Sequence, residues 1–128
     1  MSRLLAGAAA LLVLGCGGTP DPNQRYSLAL RWSFADGRSC ADAGIYRIQV
    51  RDTGTLVARV VLTRCEAGRI GAPGAAPQDI GQVPGGERSY DVLALTAGGG
   101  VLYRGTVTVD AAAQPAADVV LYYSGGAN

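Results

Sequence analysis

The stretch of the chain that decides its fold is residues 26–34, YSLALRWSF. Large apolar side chains occupy every second position, and Ser, Ala and Arg fill the positions between them. This period of two is typical of a β-strand with one buried face and one exposed face. We therefore predict a strand here and place Trp32 in the core, since its four apolar neighbours favour packing over ligand stacking.

Six more segments around this strand are apolar on alternate positions or short and apolar, and turn residues separate them. A turn at Asp52-Thr53-Gly54 predicts one hairpin, and a turn at Gly98-Gly99-Gly100 predicts another. No segment has a convincing helical period. The six segments are residues 46–51, residues 56–63, a short strand near Ile80, and residues 90–96, 101–109 and 119–123.

The fold class follows from these strands. We predict an all-β domain, an antiparallel β-sandwich of about seven strands, with residues 67–78 as a long exposed loop and residues 110–117 as a linker. The apolar phase of each strand predicts the residues that face inward. They are Leu28, Leu30, Trp32, Ile48, Val50, Tyr90, Val92, Val107 and Leu121.

The first residues of the chain have the features of an export signal. Arg3 is the only charge before a run without polar side chains at residues 4–15, which is too short to span a bilayer as a helix. The tetrad Val13-Leu14-Gly15-Cys16 then resembles the lipobox of bacterial lipoproteins. That resemblance implies cleavage before Cys16, a diacylglyceryl thioether on its thiol and acylation of the new amino terminus. The alternative is cleavage by the general signal peptidase, with Cys16 incidental.

These features predict a division of the chain into four parts. Residues 1–15 form the signal peptide, residues 16–24 the acylated cysteine and a tether rich in turn formers, residues 25–124 the β-domain, and residues 125–128 a tail. Gly17 stands where an Asp would retain many Gram-negative lipoproteins at the inner membrane. We therefore expect lipid anchoring in the cell envelope, at the outer membrane of a Gram-negative bacterium.

The charged residues argue against a nucleic-acid partner. The chain has eleven basic residues, all Arg, and ten acidic ones; removing Arg3 with the signal leaves ten of each. No run or stripe of arginine supplies the basic excess that displaces counterions from phosphates. The chain also lacks histidine, the commonest general base and metal ligand, so we predict no enzyme, no metal and no cofactor.

Two cysteines remain once Cys16 is assigned to lipid. An exported chain enters a compartment where disulfides persist, so we predict a disulfide between Cys40 and Cys65. Two free thiols, or half of a metal site, are the alternatives.

Two short segments resemble transthyretin-like domains, a group that includes Cna-B type modules. They are Ala43-Gly44-Ile45-Tyr46-Arg47-Ile48-Gln49-Val50, and Val83-Pro84-Gly85-Gly86 leading to Tyr90-Asp91-Val92. In that group an apolar-Pro-Gly turn delivers a core strand that begins with Tyr. Cna-B domains that form isopeptide cross-links need a Lys, which this chain lacks.

A broader pattern covers most of the predicted mature chain. It comprises Trp32 and Phe34, the run from Ser39 through Cys40 to Gly44, and Cys65 before the Pro-Gly turn. It resembles small uncharacterised envelope lipoproteins of GC-rich Gram-negative bacteria. The resemblance implies architecture and location but no reaction.

Other polar clusters are better explained as solvated turns than as sites. Asp110 and Asp118 lack the spacing of a calcium loop, and the triple glycine sits between strands rather than before a helix. Two carboxylate pairs are conceivable for acid–base chemistry, Asp36 with Asp42 and Glu87 with Asp91, but solvated turns explain them better.

The sequence thus predicts a noncatalytic structural or interaction module that is attached to membrane lipid through Cys16 and has an envelope protein or glycan as its possible partner. The alternative is a lipoprotein that binds a glycan or a small solute through exposed loops and Tyr122, which lies on the exposed phase of the last strand. A concave aromatic patch would favour that alternative.

Overall fold

A computed structural model of the chain describes residues 24–53 and 60–125. Between the first two strands lies a short helix, Cys40–Ala43 (α1), and a 3₁₀ turn follows at Glu66–Gly68. The strands in these described ranges are Arg25–Phe34 (β1), Arg47–Asp52 (β2), Val60–Arg64 (β3), Gln78–Pro84 (β4), Glu87–Leu95 (β5), Val101–Asp110 (β6) and Ala116–Tyr123 (β7).

The all-β class and the seven strands predicted from the sequence are confirmed within these ranges. Along β1, Leu28, Leu30, Trp32 and Phe34 are buried while the residues between them are half-buried, as the alternation predicts. Helix α1 is a single turn, because Ser39 caps its start and Gly44 ends it in the left-handed conformation.

The strands pair in the order β3-β2-β5-β6-β7-β1-β4. All neighbours are antiparallel except β1 and β7, which run parallel from the pair Ala29–Ala116 to the pair Phe34–Leu121. The prediction of a wholly antiparallel arrangement was therefore wrong at this one pair. Since β1 and β7 are separated by most of the chain, no hairpin dictates their relative direction.

A weak join divides the sheet into four strands, β3-β2-β5-β6, and three strands, β7-β1-β4. Strands β6 and β7 pair at only two positions, Tyr103 with Tyr123 and Arg104 with Tyr122. We call this join the seam. At the other end of the strand order, Thr63 of β3 donates from Oγ1 to Oε1 of Gln78 in β4 at 3.2 Å, so the sheet nearly closes on itself.

The core lies between the two groups of strands, and the prediction of its residues is confirmed almost throughout. Val107 is the exception, since it is half-buried and packs against the edge of the core. Trp32 is wholly buried, and its Nε1 donates to the Cys65 carbonyl at 2.8 Å. The indole N–H therefore has the partner that a buried tryptophan needs.

The long loop before β4 is less exposed than the sequence predicts. Gly68 and Ala72 are buried, and the ring of Trp32 lies directly over Gly68. The Ile70 amide also donates to the Trp32 carbonyl at 2.8 Å. The loop therefore lies beside β1 at residues that β4 does not reach. The loop is rich in small residues and shows no alternation of apolar and polar side chains. It can still be buried here, because small residues let the large indole ring pack closely against the backbone.

Both predicted hairpins bring their strands together. The hairpin of β5 and β6 closes through backbone hydrogen bonds between Thr96 and Gly100, and β2 pairs antiparallel with β3. Residues 54–59 of the second turn lie outside the described ranges. One ion pair is buried beside these strands, between Asp52 Oδ2 and Arg88 Nη2 at 2.8 Å.

Candidate functional site

A concave cleft of about 390 Å³ lies at the seam and is lined by Asp36, Arg38, Tyr103 and Tyr123. We call it the seam cleft. The loop that follows β1 supplies Asp36 and Arg38, and the paired ends of β6 and β7 supply the two tyrosines. At this point the aromatic side chains of β6 and β7 lie beside the loop that follows β1, as the hydrogen bond from Tyr103 to Asp36 shows.

Tyr103 forms the floor of the seam cleft. Its ring points into the core and meets Phe34 edge to face, with the ring centroids 4.7 Å apart. Its hydroxyl reaches the surface and donates to Asp36 Oδ2 at 2.7 Å. The long, rigid tyrosine side chain thus spans from the core to the cleft and fixes the carboxylate of a surface loop.

This hydrogen bond perturbs both partners. The Tyr103 hydroxyl lowers the pKa of Asp36, and the amide and guanidinium of Arg38 act in the same direction. Burial raises the pKa of Tyr103, and its bond to the carboxylate raises it further. At neutral pH the cleft therefore presents an ionised carboxylate and a protonated phenol, with Arg38 Nε 3.6 Å from Asp36 Oδ2.

Tyr123 forms the open wall of the seam cleft. Tyr123 shares the phase of Val119 and Leu121 along β7, but those two residues are buried whereas Tyr123 is 65% exposed. As the last residue of β7 it pairs with Tyr103 at the seam, where the opposite layer no longer covers it. Its ring meets that of Tyr103 edge to face at 5.5 Å.

The adjacent Tyr122 is 62% exposed, as its phase in the strand predicts. It pairs with Arg104 and points to the other side of the sheet, away from the residues that line the seam cleft. Tyr122, the ring predicted to be exposed, is thus exposed, but it is Tyr123 that lines the seam cleft.

The groups in the seam cleft suit recognition. An exposed aromatic ring offers an apolar face to a ligand, and the carboxylate and guanidinium beside it accept and donate hydrogen bonds to hydroxyls. A lowered pKa makes the Asp36 carboxylate a weaker base, which is the opposite of the shift that acid–base catalysis uses. This cluster could not be found from the sequence, which shows only two tyrosines in separate strands, because its members lie up to 87 positions apart, as Asp36 and Tyr123 do.

The predicted disulfide is confirmed. Cys40 and Cys65 are joined with Cα atoms 6.1 Å apart, which ties helix α1 to the end of β3. Glu66 supports this link, since its Oε2 accepts from the Cys40 amide at 3.0 Å. Cys16, the predicted site of lipid attachment, lies outside the described residues.

Asp118, Asp110 and Asp91, which are candidate site residues by sequence, each have a structural partner of their own. Asp118 pairs with Arg31 through two hydrogen bonds of 2.9 Å, and Asp110 accepts from the amides of Gly86 and Ala112. Asp91 accepts from Thr106. Within residues 24–53 and 60–125, no three acidic or cysteine side chains come together as a metal site requires.

Comparison with protein-family models, with curated proteins and with solved structures finds no match to this chain. The resemblances to lipoproteins and to transthyretin-like domains therefore stay predictions. None of the helices in the described ranges has the length and apolar character needed to cross a bilayer.

Proposed function

We propose that this protein is a lipid-anchored lipoprotein of the cell envelope whose β-domain is a noncatalytic structural or interaction module. The lipobox tetrad ending at Cys16 supports the anchor, and the first strand begins only nine residues later, at Arg25. Such a short connection keeps the domain at the membrane surface, since eight intervening residues span at most about 28 Å.

The observation that carries the noncatalytic assignment is the state of the seam cleft. Its carboxylate is held ionised by Tyr103 and Arg38, and its polar groups are already bonded to each other. Groups fixed in this way are prearranged for binding and poorly suited to moving protons during a reaction.

Acyl labelling tests the anchor. In cells fed an alkyne fatty acid, the parent protein should take up the label and stay with membranes after a carbonate wash, while Cys16→Ala should do neither. Gly17→Asp is the matched control, because it changes the adjacent residue and leaves the thiol in place. It should keep the label and shift toward the inner membrane. Label retained by Cys16→Ala would refute the anchor.

A second candidate function is favoured by Tyr123, namely that the seam cleft binds an envelope glycan. An exposed tyrosine ring beside a carboxylate and a guanidinium matches the alternating apolar faces and hydroxyl edges of a pyranose. Tyr123 is the exposed ring of this concave surface, since Tyr103 is buried, and its exposure there supports the candidate. The Tyr123 ring can bind a sugar without changing its conformation, because it is already packed against Tyr103.

Titration with soluble peptidoglycan fragments tests this candidate. We expect saturable binding that weakens about tenfold or more in Tyr123→Ala, as loss of an anchoring aromatic ring does. Tyr122→Ala is the matched control, since it removes an adjacent ring of nearly equal exposure that does not line the cleft. Equal affinities of the two variants, or no binding by the parent, would exclude the cleft as a glycan site. The structural or interaction module would then be the function that remains proposed.

A further inference from the structure

The outward face of the four-stranded group carries a concentration of arginine at one end. Two neighbouring rows of side chains cross the strands there. The first row runs Arg64, Arg47, Leu95 and the second runs Leu62, Gln49, Leu93, Arg104, Tyr122. We call these two rows the basic patch.

The charge of the basic patch is one-sided. Its two rows contain three arginines and no carboxylate, whereas the next row along the same face holds Arg51 beside Asp91, and Glu87 and Asp110 lie beyond it. Among the described residues, ion pairs join Arg31, Arg38, Arg69 and Arg88 to carboxylates, and neither Arg47 nor Arg64 takes part in one. The excess of positive charge on this face therefore lies in the two rows of the patch.

Stability alone does not account for this arrangement. Arg47 and Arg64 are direct cross-strand partners, and like charges placed opposite each other on one face destabilise a sheet. Arg47 is held in place by Tyr46, with its guanidinium carbon 5.3 Å from the ring centroid. The two guanidinium groups and Leu62 line a shallow cavity of about 220 Å³, which is large enough for a phosphate group.

Apolar side chains lie between the arginines. Leu62, on the edge strand, is 50% exposed, Leu95 is half-buried at the end of the first row, and Tyr122 lies at the far edge, whereas Leu93 at the centre of the second row is buried. Arginine interleaved with leucine and tyrosine on a broad surface is the composition of a lipid–water interface, where cations meet headgroups and the apolar groups sit just below them.

The direction of the strands sets the geometry relative to the tether. Strand β6 starts at the basic patch and β7 returns to it, and since β1 runs parallel to β7, Arg25 lies at the opposite end of the domain. That separation is about 30 Å for a strand of this length. A domain tethered at one end and attracted at the other would rest with its strands along the membrane plane.

We propose that the basic patch docks on the anionic phospholipid surface to which the chain is anchored, with the phosphate of a headgroup between Arg47 and Arg64. This inference rests on the proposed anchor at Cys16 for the proximity of the membrane. Attraction to an anionic surface amounts to about a fivefold gain in binding per arginine, so a tethered domain needs only a few such residues to lie flat.

The test uses the chain from residue 17 onward, which retains all the described strands, the disulfide and the core. It is mixed with vesicles of phosphatidylcholine alone or with phosphatidylglycerol at three parts in ten, and bound protein is measured by sedimentation. We expect binding only to the anionic vesicles, weakened about 25-fold in the double variant Arg47→Gln/Arg64→Gln. Its matched control is Arg25→Gln/Arg31→Gln, which removes the same charge outside the patch, from exposed Arg25 and from half-buried Arg31 in its ion pair with Asp118, and should bind like the parent.

Three results would overturn the inference: no binding to anionic vesicles, equal weakening in both double variants, or full competition by soluble polyglutamate. The last would indicate an acidic protein partner instead. Thermal unfolding of each variant shows that it is folded. Because the protein tested has no Cys16, its result is independent of the labelling experiment. Failure of labelling refutes the anchor, and failure of vesicle binding refutes the patch.

Discussion

The contact between Gly68 and Trp32 allows a sharp test of how the core is closed. A Cβ atom added at Gly68 would lie 2.6 Å from Cη2 and 2.8 Å from Cζ2 of the indole ring, well inside van der Waals contact. Gly68 does not have a positive φ, so alanine fits the backbone and crowding is the penalty that remains. Gln78 Cγ lies 2.8 Å away as well, and hydrogen bonds from its amide to the carbonyls of Ala67 and Ala76 hold that side chain in place, which adds to the crowding.

The magnitude follows from how tightly the ring is held. Trp32 is wholly buried, and its hydrogen bond to the Cys65 carbonyl at 2.8 Å resists withdrawal of the ring. Overpacking of this kind costs about 1–3 kcal/mol. Replacing glycine also stiffens the unfolded chain, which returns about 0.4–1 kcal/mol. We therefore expect Gly68→Ala to lower the free energy of unfolding by about 1–2 kcal/mol.

A double-mutant cycle isolates the contact. Phenylalanine at position 32 lacks the two crowded ring atoms, so Gly68→Ala should cost less in the Trp32→Phe background than in the parent. The coupling energy should be about 1 kcal/mol. Urea unfolding followed by far-UV circular dichroism measures all four proteins. Gly98→Ala is the control, because its Cβ would meet only Thr96 Oγ1 at 3.9 Å, and it should change little. Equal costs in the two backgrounds would refute the packing argument.

Three further predictions concern the same fold. Reducing the disulfide, which closes a loop with a sequence separation of 25, should lower the free energy of unfolding by about 3.5 kcal/mol in urea melts with and without reductant; finding both thiols free in protein isolated from the envelope would contradict the pairing. Trp32→Ala should cost about 3–5 kcal/mol, and a variant that melts like the parent would show that the ring is not part of the core. Because the Tyr103 hydroxyl lowers the pKa of Asp36, the stability this bond supplies is present above the ordinary value of about 3.9 and is lost as the pH falls through the lowered value. Tyr103→Phe should therefore lower the melting temperature more at pH 7 than at pH 2, and a loss of equal size at both would contradict this origin.

Much of the fold could be predicted from the sequence because strand patterning is local. Alternation along residues 26–34 identifies both the strand and its buried face without reference to any other segment, and the same holds for the strand that begins before Tyr90. The disulfide could also be predicted, because assigning Cys16 to lipid leaves only two cysteines to pair. These inferences need only the chain's own geometry and the count of its residue types.

The candidate sites could not be predicted, because each depends on which strands become neighbours. Asp36, Tyr103 and Tyr123 meet only because β6 pairs with β7 beside the loop that follows β1, and Arg47 lies opposite Arg64 only in one register of β2 and β3. A shift of one residue would turn those side chains to the other face.

The number of strands, the inward-facing side of most of them and the pairing of the two cysteines could all be predicted from the sequence. The lipobox, on which the proposed anchor rests, is read from the sequence alone. Only the tertiary structure decided that β1 and β7 run parallel, that Tyr123 stays outside the core, and that Gly68 lies beneath Trp32. The difference comes from how far apart in the chain the interacting residues are. Alternation is set by neighbours along the chain, whereas pairing between segments about 90 residues apart is set by which edges and surfaces the whole domain can bury together.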